Sequence, residues 1–373
     1  MKKIIIIGAG ILGASTAYHL AKLGAEVLVV DRKDDGQATD AAAGIICPWL
    51  SQRRNQAWYQ LAKRGARFYP GLIEELEKEG QRDTGYARVG VLSIHKEQEK
   101  IDKMEKRAVK RMEDAPEMGD IILLSSEQTI ELFPALDAEY ASLQVTGAAR
   151  VDGRALRDSL LQVAIKKGAT LIQGSASLQH DENNRVTGVK VEGQCLDADL
   201  VIVCAGAWAR SLLKPLNLDF NVNFQKAQIV HLELPGVDTN QWPVIMPPSD
   251  QYLLAFNHSK IVIGATHEND IQGYDTRITA GGIQEVLNKA LEVAPGLGHC
   301  TYVETRVGFR PFTPGFLPVI GPLPGWEGIL LANGLGASGL TMGPYLGFEL
   351  ANLALQRDTD LDLQPYNVKS ALV

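Results

Sequence analysis

Ile4-Ile5-Ile6-Ile7-Gly8-Ala9-Gly10-Ile11-Leu12-Gly13 stands almost at the start of the chain, and Val27-Leu28-Val29-Val30-Asp31 follows it. Ile4–Ile7 is a continuous apolar run, as in a strand buried on both faces of a parallel sheet. From Ile11 to Leu23 apolar residues recur at helical spacing, and Gly24 stands where a helix ends. Val27–Val30 reads as a second buried strand, closed by Asp31. In the pattern Gly8-x-Gly10-x-x-Gly13 the first glycine makes the tight turn. The second lets a pyrophosphate approach the backbone, and the third lets helix and strand pack closely. The helix start adds free N–H groups and partial positive charge for an anion. Asp31 is placed to accept hydrogen bonds from a ribose, and its charge disfavours NADP. Strand, turn, helix and acid together predict a dinucleotide site and leave NAD and FAD both open.

The remaining chain is ordinary in composition. It has 373 residues, 45% hydrophobic and 22% charged, enough for a large core in two domains or one large one. A net charge of -7 argues against nucleic acid or an anionic membrane as the main partner. Cys47, Cys195, Cys204 and Cys300 form no CxxC, so a disulfide framework or zinc site is not expected. His19, His95, His180, His231, His258 and His299 show no ligand spacing, and no metal is predicted. No Ser-His-Asp arrangement stands out. The N-terminal apolar run is too short for a signal peptide, and none reaches the ~18 residues of a membrane span. A cytoplasmic protein is expected, with peripheral membrane contact and a homo-oligomer left open.

Further along, a helix is predicted from Arg53 to Glu79, broken or kinked at Pro70-Gly71, and a charged, solvated helix from Glu97 to Asp114. Gly153–Lys167, Ile283–Val293 and about Leu340 to Gln356 also read as helices. Strands are expected at Val89–Ile94, Thr170–Gln173, Val186–Val191, Leu200–Val203 and Ile329–Leu331. Gln228–Leu234 alternates imperfectly, suggesting a half-exposed antiparallel strand, with others at Tyr252–Phe256 and Ile261–Ile263. Parallel-type strands fall near the start, middle and end, with antiparallel-type strands between. The predicted fold class is therefore α/β, with a Rossmann-like dinucleotide-binding domain interleaved with an antiparallel-sheet α+β domain. The first is assigned residues 1-82, 145-220 and 308-373, and the second 83-144 and 221-307.

Four later blocks resemble the FAD-dependent glycine/D-amino-acid oxidase family. Thr39-Asp40-Ala41-Ala42-Ala43-Gly44-Ile45-Ile46 is similar to its "T-S-A-A-A-G-M" segment. Val201-Ile202-Val203-Cys204-Ala205-Gly206-Ala207-Trp208 resembles its second FAD-domain strand. Gly308-Phe309-Arg310-Pro311-Phe312-Thr313-Pro314-Gly315-Phe316-Leu317-Pro318-Val319-Ile320-Gly321 resembles "G-L-R-P-x-T-P-D-G-x-P-x-I-G". Asn333-Gly334-Leu335-Gly336-Ala337-Ser338-Gly339-Leu340-Thr341-Met342 resembles the loop and helix that close over the flavin. The blocks occur in family order and cover essentially the whole chain.

The resemblance implies FAD as cofactor. Ile11 and Leu12 then sit at the pyrophosphate, Asp31 and Arg32 at the adenosine ribose, and the backbone of Ala176 at the adenine. Thr39 and Asp40 match a Thr-Ser pair near the pyrophosphate and ribityl chain, although a carboxylate there is unfavourable unless turned away. Gly44, Ile45 and Ile46 offer N–H groups around the isoalloxazine, Ala205 and Gly206 belong to the FAD-domain strand, and Leu335 to Thr341 wrap the pyrimidine end. Family members with covalent flavin use a cysteine near the Arg310 block. Gly308 and its neighbours provide none, so non-covalent FAD is expected.

By the same resemblance Arg310 forks onto a substrate carboxylate, a task suited to two parallel N–H donors. Tyr252 assists there, and His267 faces the substrate. The plain alternatives are a structural arginine, a core tyrosine and an exposed loop histidine. The implied reaction is oxidation of a small amino acid (glycine, sarcosine or a D-amino acid) by hydride transfer from Cα to flavin N5. The product is an imino acid that hydrolyses to 2-oxo acid and ammonia. No general base is evident. Ala337 stands where glycine oxidases carry arginine, Gly315 replaces an aspartate, and Gly339-Leu340-Thr341-Met342 resembles the "G-W-T-M" of D-amino-acid dehydrogenases. Oxygen is the first expectation for the acceptor and an electron carrier the alternative. An NAD-dependent dehydrogenase and a non-catalytic flavin subunit are the competing classes.

Overall fold

The structure, a computed structural model, describes residues 2–373. The N-terminal pattern folds as its glycines require. Strand Lys3–Ile7, helix Ile11–Lys22 and strand Glu26–Asp31 form one unit, and the two strands pair in parallel. A six-stranded sheet grows on both sides of Lys3–Ile7. On one side lie Glu26–Asp31 and Thr170–Gln173, and on the other Leu200–Val203, Ile329–Asn333 and the antiparallel Val319–Pro322. The strand order therefore reverses beside Lys3–Ile7, where the glycine turn emerges. Ligands of open α/β sheets bind at such a reversal.

Helix Ile11–Lys22 covers this sheet with Gly153–Lys166 and the final helix, Gly339–Ala354. A Cβ at Gly347 would lie 2.6 Å from Ser15 Cβ, so helix axes approach closely there. The Ser15 hydroxyl donates to the Pro344 carbonyl at 2.7 Å. Helix Gln56–Lys78 packs outside the final helix. It runs through Pro70 without the break that was one of the two expectations there.

An eight-stranded sheet forms the second half, from chain segments between those of the first. Its order is Thr301–Phe312, Asn223–Glu233, Lys260–Gly264, Tyr252–Ala255, Val244–Met246, Val91–His95, Ala141–Val145 and Ile121–Leu124. The parallel and antiparallel sheets thus interleave in sequence, as the strand types predict. The half-exposed strand expected at Gln228–Leu234 is longer, and it is buried from Lys226 to Leu232. Two of its polar side chains, Lys226 and Gln228, are satisfied internally. Lys226 Nζ donates to the Arg277 carbonyl at 2.8 Å, and Gln228 Nε2 to Glu268 Oε1 at 2.7 Å. Val186–Val191 joins Ala176–His180 and Gln194–Asp197 in a separate three-stranded sheet. Among the described residues no helix is long and apolar enough to cross a membrane. No cluster of His, Cys, Asp or Glu among them could hold a metal ion.

Candidate functional site

A cavity of about 620 Å³ lies at the carboxyl ends of the parallel strands and reaches the eight-stranded sheet. The glycine turn forms part of its wall, through Gly8, Gly10, Ile11 and Leu12. Gly8 has φ +104°, and a Cβ there would lie 2.3 Å from the Cys204 carbonyl oxygen. Gly13 does not line the cavity. A Cβ on it would lie 1.9 Å from the Gly8 carbonyl oxygen, so its role is helix–strand contact, as expected of the third glycine.

Asp31 is buried at the end of its strand and lines the cavity. Its Oδ2 accepts from the Ala9 N–H at 2.6 Å, and its Oδ1 from the Lys33 N–H at 2.6 Å and Gln37 Nε2 at 2.9 Å. The carboxylate thus braces the turn as well as facing the cavity. Thr39 Oγ1 accepts from the Ile11 N–H at 3.0 Å and ties the next loop to the helix start.

Asp40 corrects the sequence reading. It does not line this cavity; it pairs with Arg157, with Arg154 Nε 3.8 Å away, and faces a separate polar cleft. A free carboxylate beside phosphate would be repelled, and the two arginines hold it on the other side. Ile46 and Ser338 also fall outside the lining. Ile46 is buried and pairs with Ala149, while Ser338 leads into the final helix. Arg32, Thr39, Gly44, Ile45, Ala176, Ala205 and Gly206 all contribute to the wall, as do Leu335, Gly336, Ala337, Gly339, Leu340 and Thr341.

Three contacts hold the far wall together. A Cβ at Gly44 would lie 1.8 Å from the Val151 carbonyl oxygen, so that loop presses on backbone. Thr341 Oγ1 donates to the Ile45 carbonyl at 3.0 Å, joining the final helix to the same loop. Asn333 Nδ2 donates to the Gly206 carbonyl at 2.9 Å, linking two glycine-rich turns. Asn333, directly before Gly334-Leu335-Gly336, carried no sequence signal of its own.

At the end formed by the eight-stranded sheet, Arg310, Tyr252 and His267 come together. Arg310 lies on Thr301–Phe312 and donates from Nη1 to Gln225 Oε1 at 3.2 Å on the paired strand. Gln225 Nε2 in turn donates to Asn269 Oδ1 at 2.9 Å. This chain restrains the guanidinium, and Gln225 carried no sequence signal. Burial pushes the Tyr252 phenol up, partly offset by the Arg310 charge beside it. It therefore remains a hydrogen-bond donor at neutral pH.

Asp250 also lines this end and was missed, although it stands two residues before Tyr252. His267 Nδ1 lies 3.3 Å from Asp250 Oδ2, and Lys289 Nζ reaches Asp250 Oδ1 at 3.2 Å. Partial burial acts to raise the Asp250 carboxyl, but hydrogen bonds from Gln251 and Lys289 hold it below its usual range. Burial and the Arg310 charge lower His267, against an upward pull from Asp250.

The donor set of the cavity fits FAD. Its wall includes the positive end of a twelve-residue helix, a braced buried carboxylate and glycine loops that leave backbone uncovered. Cys204 is the cysteine in the wall, and burial pushes its thiol up to about 12.

Residues 3–353 match the DAO family model, described as FAD dependent oxidoreductase. Across 372 residues, the whole of both chains, the protein is 64% identical to the uncharacterized oxidoreductase YurR of Bacillus subtilis (strain 168). It is 29% identical to a glycine oxidase of Pseudomonas aeruginosa, over 98% of each chain. The crystal structure of iminodiacetate oxidase from Chelativorans sp. BNC1 superposes with a TM-score of 0.95 at 45% identity, again over 98% of each chain. The glycine-turn cavity and these matches agree, and the chain belongs to the DAO family of FAD-dependent oxidoreductases.

Proposed function

We propose that this enzyme oxidises the Cα–N bond of a small amino acid whose α-carboxylate is held by Arg310 and Tyr252. The supporting observation is one continuous cavity that joins the dinucleotide turn to that pair. Bound FAD supplies the acceptor for the hydride leaving Cα. The chain's own residues do the rest. Arg310 and Tyr252 fix the carboxylate and so aim Cα, Gln225 fixes Arg310, and the apolar wall excludes water. Water then hydrolyses the imino acid to a 2-oxo acid, with ammonia leaving from a primary amine and the remaining amine from a secondary one.

In this reading residues 1-82, 145-220 and 308-373 bind FAD without a covalent bond, and 83-144 with 221-307 bind substrate. Glycine, sarcosine and D-amino acids meet the chemical requirement. So does iminodiacetate, a secondary amine with two carboxylates and the substrate named for the 45%-identical structure. Oxygen is the acceptor in the leading version. A dehydrogenase passing electrons to a carrier is the second, favoured by Ala337 and the run Gly339-Leu340-Thr341-Met342.

The test is anaerobic addition of glycine, sarcosine, iminodiacetate, D-alanine and D-proline to purified yellow protein. Bleaching of the flavin band by at least one is expected. Rapid recolouring in air with peroxide would mark an oxidase, and slow recolouring a dehydrogenase. A yellow protein that none of these bleaches would overturn the reading, and a colourless one would remove its basis.

A further inference from the structure

A substrate amino acid arrives as an ammonium ion, and its nitrogen lone pair must be free before hydride can leave Cα. One proton therefore has to go from nitrogen to some acceptor in the cavity. The groups at the substrate end narrow the choice. Arg310 is a cation with no acceptor atom. Tyr252 stays protonated through burial, so it too lacks a vacant base. His267 and Asp250 remain.

We propose that His267, held by Asp250 and Lys289, receives the ammonium proton of the bound substrate and passes it to solvent. The step is a plain acid–base exchange: the substrate N–H bond breaks, an imidazole N–H bond forms, and no electrons change hands. This rests on the amino-acid reading of the site given above.

Geometry carries the argument. With a carboxylate 3.3 Å from Nδ1, the neutral ring keeps its hydrogen there. Nε2 is then the nitrogen with a lone pair. Asp250 is itself anchored, by Lys289 Nζ to Oδ1 at 3.2 Å and by Gln251 Nε2 to Oδ1 at 3.0 Å. Lys289 is held in turn by Glu285 Oε1 at 2.9 Å on helix Ala280–Val293. The charged groups facing the ring are thus Arg310 on one strand, Asp250 on the neighbouring loop, and Lys289 and Glu285 on the helix.

Their balance suits a proton relay. Burial and Arg310 keep the resting imidazole neutral at physiological pH, so it is vacant when substrate arrives. Asp250 stabilises the imidazolium once formed. The His267 side chain is 36% exposed, so the proton has a route out.

The experiment is the pH dependence of anaerobic flavin reduction, as kcat/KM, in wild type, His267→Asn and Asp250→Asn. The substrate is whichever amino acid bleaches the wild type. Wild type should be flat from near neutral pH upward. His267→Asn should be slower near pH 7 on the order of 100-fold. It should then rise with pH and converge on wild type as the substrate amine loses its own proton in solution. Asp250→Asn should shift the same way by less. A separate readout uses 2-aminoisobutyrate, which has the ammonium and carboxylate but no Cα–H. Its binding near pH 7 should release a proton to a pH indicator, and that release should lag ligand binding in His267→Asn but not in wild type. A variant slower by one factor at all pH values, or a proton release as fast in His267→Asn as in wild type, would overturn the relay. If wild type fails with every amino acid, the reading of the reaction falls instead.

Discussion

Arg310 stands on a long strand, bonded to Gln225 on the next, with its side chain in the cavity wall. Its Nη1 is held by Gln225, leaving its other donors for a carboxylate. On the proposed role, Arg310→Ala would remove charge-assisted bonds worth about 1.5–3 kcal/mol each, so kcat/KM should fall on the order of 100-fold or more. Unchanged kinetics would assign the carboxylate elsewhere. Gln225→Ala keeps the guanidinium but frees it to swing. A smaller fall, on the order of tenfold, is expected, spread over kcat and KM because aim as well as affinity suffers. Tyr252→Phe should weaken substrate binding modestly; no effect would make Tyr252 a packing residue. At the other end of the cavity a Cβ at Gly10 would already sit 3.3 Å from Thr39 Oγ1. The two further methyls of Gly10→Val would crowd Thr39 and the pyrophosphate path together. Purified Gly10→Val should be colourless, and a fully flavinated variant would remove the glycine turn from the cofactor site. Gly10 and Arg310 were legible in the sequence because each belongs to a dense motif, whereas Gln225 carried no signal. Asp40 was misplaced because a motif carries a position but not a side-chain direction, and its arginine partners lie more than a hundred residues away.

The wall built by the final helix depends on how another helix meets it. In Gln56–Lys78, Gly65 lies against the backbone of Gly339–Ala354, where a Cβ would sit 2.1 Å from the Thr341 carbonyl oxygen. Two residues' bonds fix that contact from either side: Tyr69 Oη donates to the Leu340 carbonyl at 2.5 Å, and Thr341 Oγ1 donates to Ile45. Gly65→Ala should push the final helix away, lowering Tm and loosening FAD. Gly71→Ala, in the same helix with nothing within 4 Å of its Cβ, is the control. It should be neutral or stabilise by up to about 1 kcal/mol through helix propensity. Equal behaviour of the two variants would mean that the helix contact is slack. The long helices and parallel strands could be read because their apolar spacing is regular. Thr301–Phe312 could not: it contains Pro311 and no clean alternation, and its backbone is held by pairing with Asn223–Glu233. Ala176–His180 and Gln194–Asp197 are mostly exposed or half-buried and leave little hydrophobic signature. Pro70 does not end its helix because a proline's lost hydrogen bond is a local cost, which packing along a 23-residue helix overrides.

Across the whole molecule, each half buries a histidine that has no use for a proton. His19, in the first helix, packs against Tyr18, Phe68 and Phe348 with Nε2 unpartnered among the described residues. His231, in the eight-stranded sheet, has neither ring nitrogen bonded among them. Burial, aided by Lys22, pulls His19 down to about 3; burial with Arg306 and Lys260 does the same for His231. Unfolded, each ring regains an ordinary value near 6.5. Above that value both states are neutral and these groups make stability independent of pH. Below it the unfolded chain takes up protons that the native rings refuse, so stability falls as pH drops toward about 3. Glu349 works in the opposite sense: buried without a partner among the described residues, its carboxyl is raised, so deprotonation costs the native state more than the unfolded one. Wild type alone therefore mixes the two effects, and variants separate them. Urea midpoints between pH 7.5 and pH 5 should fall in wild type and fall less steeply in His19→Leu and His231→Leu, whatever their midpoints at pH 7.5. Each leucine removes one site at which only the unfolded chain binds a proton. An undiminished slope in both variants would mean that the native rings accept the proton at little cost, through a partner that forms only in acid.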